Sequence, residues 1–118
     1  MKLWLDDERN PADPDIRKRF YSYGSEVWVK TAQQAIDLLR TGEVTEISLD
    51  HDLGDISNGT GYDVAKFIEK SAYMLRLKPP KWWIHSANPV GRINMMVALA
   101  NADNHWLNAI TSGKIPAI

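Results

Sequence analysis

Short apolar segments alternate with longer amphipathic segments along the 118-residue chain. The short segments are rich in β-branched and aromatic residues and are bounded by turn residues, which is typical of strands. The longer segments repeat apolar residues at helical spacing. Because strands alternate with helices, the pattern predicts βαβ units and a parallel sheet. The predicted strands are residues 2–5, 26–30, 46–49 and 81–86.

Residues that favour helix starts lie between these strands. Asp13 and Asn88 are each followed by proline, which suits an N-cap and the first helical position. Thr31 begins a capping box for the second helix, and the third helix is expected to begin near Thr60. Gly24 is expected to end the first helix.

The last part of the chain gives a weaker pattern. Residues 101–113 fit either a continuation of the fourth helix or the start of another one. The final segment, GKIPAI, is short and contains proline, which argues against a central strand. A fifth strand is therefore doubtful.

Composition favours one globular domain that spans residues 1–118. Hydrophobic residues make up 44% and charged residues 25%, with a formal net charge of -1. We therefore expect no general attraction to nucleic acid or to an anionic membrane. The chain has no cysteine, which excludes disulfides, thiolate zinc sites and cysteine nucleophiles. No apolar run is long enough to span a membrane, so a cytoplasmic protein is the default expectation.

Two acidic clusters follow the first and third predicted strands. They are Asp6-Asp7-Glu8 and Asp50-His51-Asp52. If the two strands lie side by side in a parallel sheet, these carboxylates converge, and their repulsion favours a bound cation. Hard oxygen ligands suit Mg2+ or Mn2+, and phosphoryl chemistry is a natural use of such a site. The alternative is that the first cluster is a solvated turn.

The motifs taken together resemble a known family. A strand that ends in an acidic pair, a third strand that ends in Asp50, a glycine loop before the next helix and a fourth strand that ends in Ser86 look like the response-regulator receiver domain. The resemblance spans about residues 2–100. More narrowly, the segments LWLDDERNP, SLDHDLG, GYDVAKFIE and HSANPVGRINM resemble cyclic-phosphate processing receiver domains, a divergent group of receiver relatives.

This resemblance implies a fold and a set of roles. The fold is a receiver-like, flavodoxin-like three-layer α/β sandwich with a parallel sheet of four or five strands. One or both of Asp6 and Asp7 would bind Mg2+, Asp50 would accept a phosphoryl group, and Ser86 would form a hydrogen bond with that group. Receivers also have a lysine at the end of the fifth strand, whereas Lys114 follows no convincing strand here.

The residues themselves support a hydrolytic hypothesis. Carboxylates of Asp6, Asp7, Asp50 and Asp52 would hold one or two divalent ions, and water or Asp50 would attack the phosphate. An imidazole titrates near neutral pH, so His51 is a candidate for proton transfer. The candidate catalytic residues are Asp50, His51 and Ser86.

A phosphate-binding group is expected beside the metal. Ser86, Asn88 and the amides that open the fourth helix would form an anion site, because helix N-termini favour phosphate. Arg9 and Arg92 are candidate clamps, since arginine offers a bidentate fork, although a solvated surface role is an equal alternative.

Other residue types favour packing over chemistry. Alternation places His85 on the sheet face opposite Ser86, where a packed or hydrogen-bonded histidine is favoured over a metal ligand. Four tryptophans lie on predicted strands and invite base stacking, but few basic residues lie among them, so sheet packing is favoured. They are Trp4, Trp28, Trp82 and Trp83.

Three function classes remain open at this level. The leading one is a metal-dependent enzyme that acts on a cyclic or terminal phosphate of a nucleotide or an RNA end. The second is a phosphoacceptor receiver that signals to a partner protein through Asp50. The third is a module that binds a phosphate ligand without catalysis. His51 and the missing lysine favour the first, and no membrane partner is expected.

Overall fold

The computed structural model describes residues 1–116, which form a four-stranded parallel sheet in the order β2-β1-β3-β4. The two final residues of the predicted 1–118 domain lie outside the described part. The strands are β1 (Lys2–Leu5), β2 (Val27–Val29), β3 (Glu46–Leu49) and β4 (Lys81–Ile84). The helices are α1 (Pro14–Phe20), α2 (Ala32–Arg40), α3 (Gly61–Tyr73) and α4 (Pro89–Thr111), with a 3-10 turn at Ile56–Asn58.

One face of the sheet forms the hydrophobic core. Leu3 and Leu5 of β1 lie beside Ile47 and Leu49 of β3, and all four are almost completely buried. The same core includes apolar residues from the inner sides of α2, α3 and α4. These three helices therefore form one layer on this face, and they position the loops that follow the strands.

The opposite face of the sheet is covered less completely. It presents Trp4, Ser48 and Trp83, which lie side by side in the strand register. His85 stacks on Trp4 with ring centroids 3.8 Å apart, and Phe20 at the end of α1 meets His85 edge-on at 5.9 Å. The seven-residue α1 is thus the helix layer on this side, which completes the three-layer arrangement.

The structure corrects the predicted end of the first helix and decides between the two alternatives for the chain beyond Asn101. The first helix ends at Phe20 and not at Gly24, because Tyr21 adopts the left-handed conformation (φ 61°) and its N–H bonds the carbonyl of Arg17. The pattern beyond Asn101 continues α4 to Thr111 as one helix of 23 residues. Strands β2 and β4 are shorter than the sequence predicted, since β2 begins at Val27 and β4 ends at Ile84.

The doubtful fifth strand does not form in residues 112–116, so the sheet has four strands within the described part of the chain. The two capping boxes at Thr31 and Thr60 are present with both reciprocal hydrogen bonds. No helix within residues 1–116 combines the length and the apolar content that crossing a bilayer requires.

Candidate functional site

Three aspartates meet at the carboxyl ends of β1 and β3. These strands are neighbours in the sheet. The chain continues from β1 to β2 on one side and from β3 to β4 on the other side. Ligands of α/β proteins usually bind in the crevice that forms at such a point. Asp6 and Asp7 follow β1 and Asp50 follows β3. One carboxylate oxygen from each of the three lies within 4.8 Å of the others. The predicted convergence of the two acidic clusters is therefore confirmed for these residues.

Asp6 is fully buried, and its carboxylate is held by hydrogen bonds. Its Oδ1 accepts the backbone N–H groups of Glu8 and Arg9, each at 2.9 Å. Its Oδ2 lies 3.1 Å from Nε2 of His85. Burial alone would raise the pKa of Asp6, but the His85 bond and the two backbone N–H groups outweigh it and lower the pKa. Asp6 is thus a fixed anion at the base of the site.

Asp50 has the opposite electrostatic environment. Its side chain is nearly buried, and it accepts only the backbone N–H of His51, at 2.9 Å, apart from an ion pair. Burial and the negative charge of Asp6 raise the pKa of Asp50, against smaller opposing effects of His85, the His51 N–H and Arg9. Environments that push the pKa values of two neighbouring carboxylates apart are typical of functional sites.

Arg9 supplies the cation that these carboxylates contact. Its Nη1 lies 3.3 Å from Asp6 Oδ2 and 3.6 Å from Asp50 Oδ2, and its guanidinium packs over the ring of Phe20. The sequence suggested that Arg9 clamps a phosphate. In the structure, Arg9 instead bridges two of the predicted metal ligands.

The donor set of this cluster fits a divalent metal. Three carboxylates offer hard oxygen atoms that lie within 4.8 Å of one another. The guanidinium cation of Arg9 already lies beside two of these carboxylates. Mg2+ and Mn2+ prefer such ligands. Asp52, the fourth predicted ligand, does not join the cluster: its side chain is 69% exposed and contacts His51.

An acidic cavity of about 270 Å³ opens above the cluster. It is lined by Asp7, Glu8, Arg9, Asp50, Asp52, Gly54 and Ala87. His51 is not among these lining residues. Its ring packs against the first turn of α4, where a Cβ on Gly91 would overlap the imidazole. Its Nδ1 lies 2.8 Å from Asp52 Oδ1, so the two side chains form a pair at the edge of the cavity.

The predicted phosphate-binding residues make contacts within the chain. Ser86 Oγ accepts the N–H of Asn88 at 3.1 Å, and Asn88 Oδ1 caps α4 by accepting the N–H of Gly91 at 2.9 Å. The Asn88 amide also donates to both oxygens of Asp52 at 3.3 Å. Arg92 donates to the carbonyl of Ser86 at 3.1 Å, and its side chain lies on the less covered face of the sheet. Arg92 therefore does not line the acidic cavity.

His85 is the site residue that the sequence interpretation missed. Its Nδ1 lies 2.7 Å from Ser48 Oγ and its Nε2 lies 3.1 Å from Asp6, so it is hydrogen-bonded, as expected, but to a proposed metal ligand. Alternation applied to all strands together places His85 on the same sheet face as Asp6 and Asp50, although it does not fix the contact itself. Asp6, Asp50 and His85 each come two residues after a residue of the less covered face, namely Trp4, Ser48 and Trp83.

A parallel α/β sheet with an aspartate cluster at the ends of β1 and β3 defines a receiver-like protein. The family model described as the cyclic-phosphate processing receiver domain matches residues 1–101. The chain therefore belongs to this family, which confirms the resemblance seen in the sequence motifs. No curated protein and no solved structure matched the chain.

Proposed function

We propose that this protein is a divalent-metal-dependent phosphohydrolase that opens a cyclic phosphate, or removes a terminal one, on a nucleotide or an RNA end. The observation that carries the proposal is the convergence of Asp6, Asp7 and Asp50, with ligand atoms within 4.8 Å of one another. Membership of a cyclic-phosphate processing family adds the substrate class.

Asp6, Asp7 and Asp50 would hold Mg2+ or Mn2+. Such an ion would supply charge neutralisation and polarise the P–O bonds of the substrate. The chain itself fixes the ligands: backbone N–H groups and His85 hold Asp6, while the Asp50 N–H bonds Leu5 at the end of β1. Because these groups are rigid, little reorganisation is needed when a substrate binds.

The Asp52–His51 pair is our candidate for proton transfer. The hydrogen bond from His51 lowers the pKa of Asp52, so this carboxylate is ionised and only accepts hydrogen bonds. In a neutral His51 whose Nδ1 donates to Asp52 across their 2.8 Å contact, Nε2 keeps a lone pair. In this arrangement His51 can take a proton from water, or return it to the leaving oxygen.

The phosphoacceptor alternative has less support. A receiver would need a lysine at the end of a fifth strand, yet residues 112–116 form no strand and Lys114 comes three residues after the end of α4. Within residues 1–116, a phosphoryl group on Asp50 would therefore lack this cationic partner. We favour hydrolysis because His51 pairs with Asp52 at the edge of the cavity, which suits proton transfer.

The experiment measures turnover of 2',3'-cyclic and 3',5'-cyclic nucleotides with Mg2+ or Mn2+. We expect Asp50→Asn to lower kcat at least about 100-fold and EDTA to abolish turnover. The matched control is Asp37→Asn, because Asp37 is an exposed aspartate on α2 that pairs with Arg40. It should leave kcat unchanged.

Other outcomes would overturn the hydrolase proposal. Turnover that survives both Asp50→Asn and EDTA would exclude this centre. Ligand binding without turnover would indicate a binding module. A stable acid-labile adduct on Asp50 after incubation with a small phosphodonor, again without turnover, would identify a phosphoacceptor.

A further inference from the structure

A second recess lies on the less covered face of the sheet, and the acidic cavity does not include it. Its volume is about 600 Å³, which falls within the range of roughly 300–1,000 Å³ that is usual for small-molecule sites. We call it the aromatic groove. It is lined by Trp4, Arg19, Phe20, Tyr21, Ser22, Tyr23, Glu26, Ser48, Trp83, Ile84, His85 and Arg92.

Five of the twelve residues that line this groove are tryptophan, tyrosine or phenylalanine. Trp83 has 47% of its surface exposed, although it lies on a strand, and Tyr21 is 86% exposed. Tyr21 also has a φ of 61°, a conformation that is uncommon for a bulky residue and that often marks functional sites. The sequence favoured sheet packing for the tryptophans. That interpretation holds for Trp4, which is buried, whereas Trp83 is partly exposed and is one of the residues that line the groove.

The charges that line the groove favour an anionic ligand. Arg19 and Arg92 are its two cationic residues. Glu26 is the one carboxylate among the lining residues, and its two oxygens already accept the backbone N–H groups of Tyr23 and Gly24, each at 2.8 Å. A ligand that combines a flat aromatic ring with negative charge complements this surface.

The groove and the acidic centre share a wall. His85 lines the groove with its ring stacked on Trp4, and its Nε2 contacts Asp6 of the centre. Arg9 makes a second connection, because it pairs with Asp50 while its guanidinium packs on Phe20, another groove residue. His85 and Arg9 therefore each contact both a carboxylate of the centre and an aromatic residue of the groove.

We propose that the aromatic groove binds the nucleobase of the ligand whose phosphate lies at the acidic centre, with the base stacked on Trp83. The choice of a nucleobase follows from the exposed indole and from the shared wall with a phosphate-directed site, and the two arginines suit a ligand that also carries negative charge. Aromatic stacking accepts any base, because every base has a π-face. This inference rests on the proposed function and narrows its substrate to base-bearing phosphates, as opposed to sugar or lipid phosphates.

The test compares three probes in the presence of Mg2+ or Mn2+: adenosine 2',3'-cyclic phosphate, adenosine and glycerol 1,2-cyclic phosphate. Isothermal calorimetry gives each Kd, and NMR follows the indole N–H of Trp83. We expect Trp83→Ala to weaken binding of the cyclic nucleotide and of adenosine by about 10-fold or more. Binding of the glycerol compound should not change.

Two further variants separate stacking from loss of structure. Trp83→Phe keeps an aromatic face and should restore most of the affinity. Tyr73→Ala removes another exposed aromatic residue, which is 72% exposed on α3 and lies outside the groove. It should bind all three probes as the wild type does.

The results also separate this inference from the proposed function. If no cyclic phosphate is turned over but adenosine still binds at Trp83, the hydrolase proposal fails and the base site stands. If turnover occurs and Trp83→Ala leaves the KM of every substrate, nucleotides included, at its wild-type value, the base site is overturned. Protection of the Trp83 indole only in a concentration-dependent dimer would also overturn it, since a second copy would then occupy the groove.

Discussion

The environment of Asp50 disfavours the charged form of its carboxyl group. Burial and the nearby Asp6 anion raise its pKa, so its ionised form destabilises the metal-free protein at neutral pH. We therefore expect Asp50→Asn to stabilise the metal-free protein by about 1 kcal/mol, a usual gain when strain at a functional site is removed. Urea denaturation in EDTA measures this difference, and Asp37→Asn is the control.

The pH dependence of this gain has a definite sign. The pKa of Asp50 is higher in the folded state than in the unfolded state. At pH values between these two pKa values, the folded state therefore binds more protons than the unfolded state. The stability of the wild type relative to Asp50→Asn therefore falls as pH rises through that window. The gain should shrink in acid, where Asp50 is protonated and resembles asparagine. If Asp50→Asn instead stabilised the protein more at low pH than at neutral pH, the raised pKa of Asp50 would be contradicted.

The sequence predicted some residues of the site but not the contacts that connect them. Asp6, Asp7 and Asp50 were predicted because each follows a strand, and strand ends in a parallel sheet share one edge. The roles of Arg9 and His85 were not predicted. Their contacts with Asp6 depend on side-chain directions across two strands and a turn, which local spacing does not fix.

At the scale of elements, the start of α4 holds His51 in place. Gly91 lies in the first turn of this helix, and a Cβ there would overlap the His51 ring. Alanine usually stabilises a helix relative to glycine, but here we expect Gly91→Ala to cost about 1–3 kcal/mol, as overpacking generally does. Turnover should fall as well, because the displaced ring would lose its pairing with Asp52.

Asn94→Ala is the matched control, since it adds alanine at an exposed position of the same helix. Thermal denaturation compares the two variants, and the NMR signals of His51 report its ring position. Equal stability of the two variants, with an unchanged His51 spectrum, would show that Gly91 does not restrict the histidine.

Elements with local signals were predicted better than elements defined by packing. The capping box at Thr31 and the helix start at Thr60 formed as expected, because the hydrogen bonds at both sites join residues three positions apart. The continuation of α4 depends on long-range burial. Ala102 and Trp106 pack into the core, and the Trp106 indole donates to the carbonyl of Leu77, 29 residues away. No pattern within residues 101–113 reveals those partners.

For the whole molecule, metal binding should appear as added stability. An ion that binds only the folded state at about 100 times its Kd adds about 2.7 kcal/mol. This corresponds to a Tm increase on the order of 10 °C for a domain of this size. We expect Mg2+ or Mn2+ to produce this shift in the wild type and in Asp37→Asn, and to produce little of it in Asp7→Asn. An equal shift in Asp7→Asn would place the ion elsewhere.

All four strands of the sheet run in parallel, so the carboxylates that follow β1 and β3 collect at one end of the molecule. The chain as a whole is nearly neutral, with 14 basic and 15 acidic residues. Under the proposed function, a ligand phosphate would nevertheless approach a locally negative surface, where Arg9 is already paired. We expect repulsion to slow that encounter until a divalent ion reverses the local sign. The expected kinetic consequence is ordered addition, in which the ion enters first and the phosphate follows.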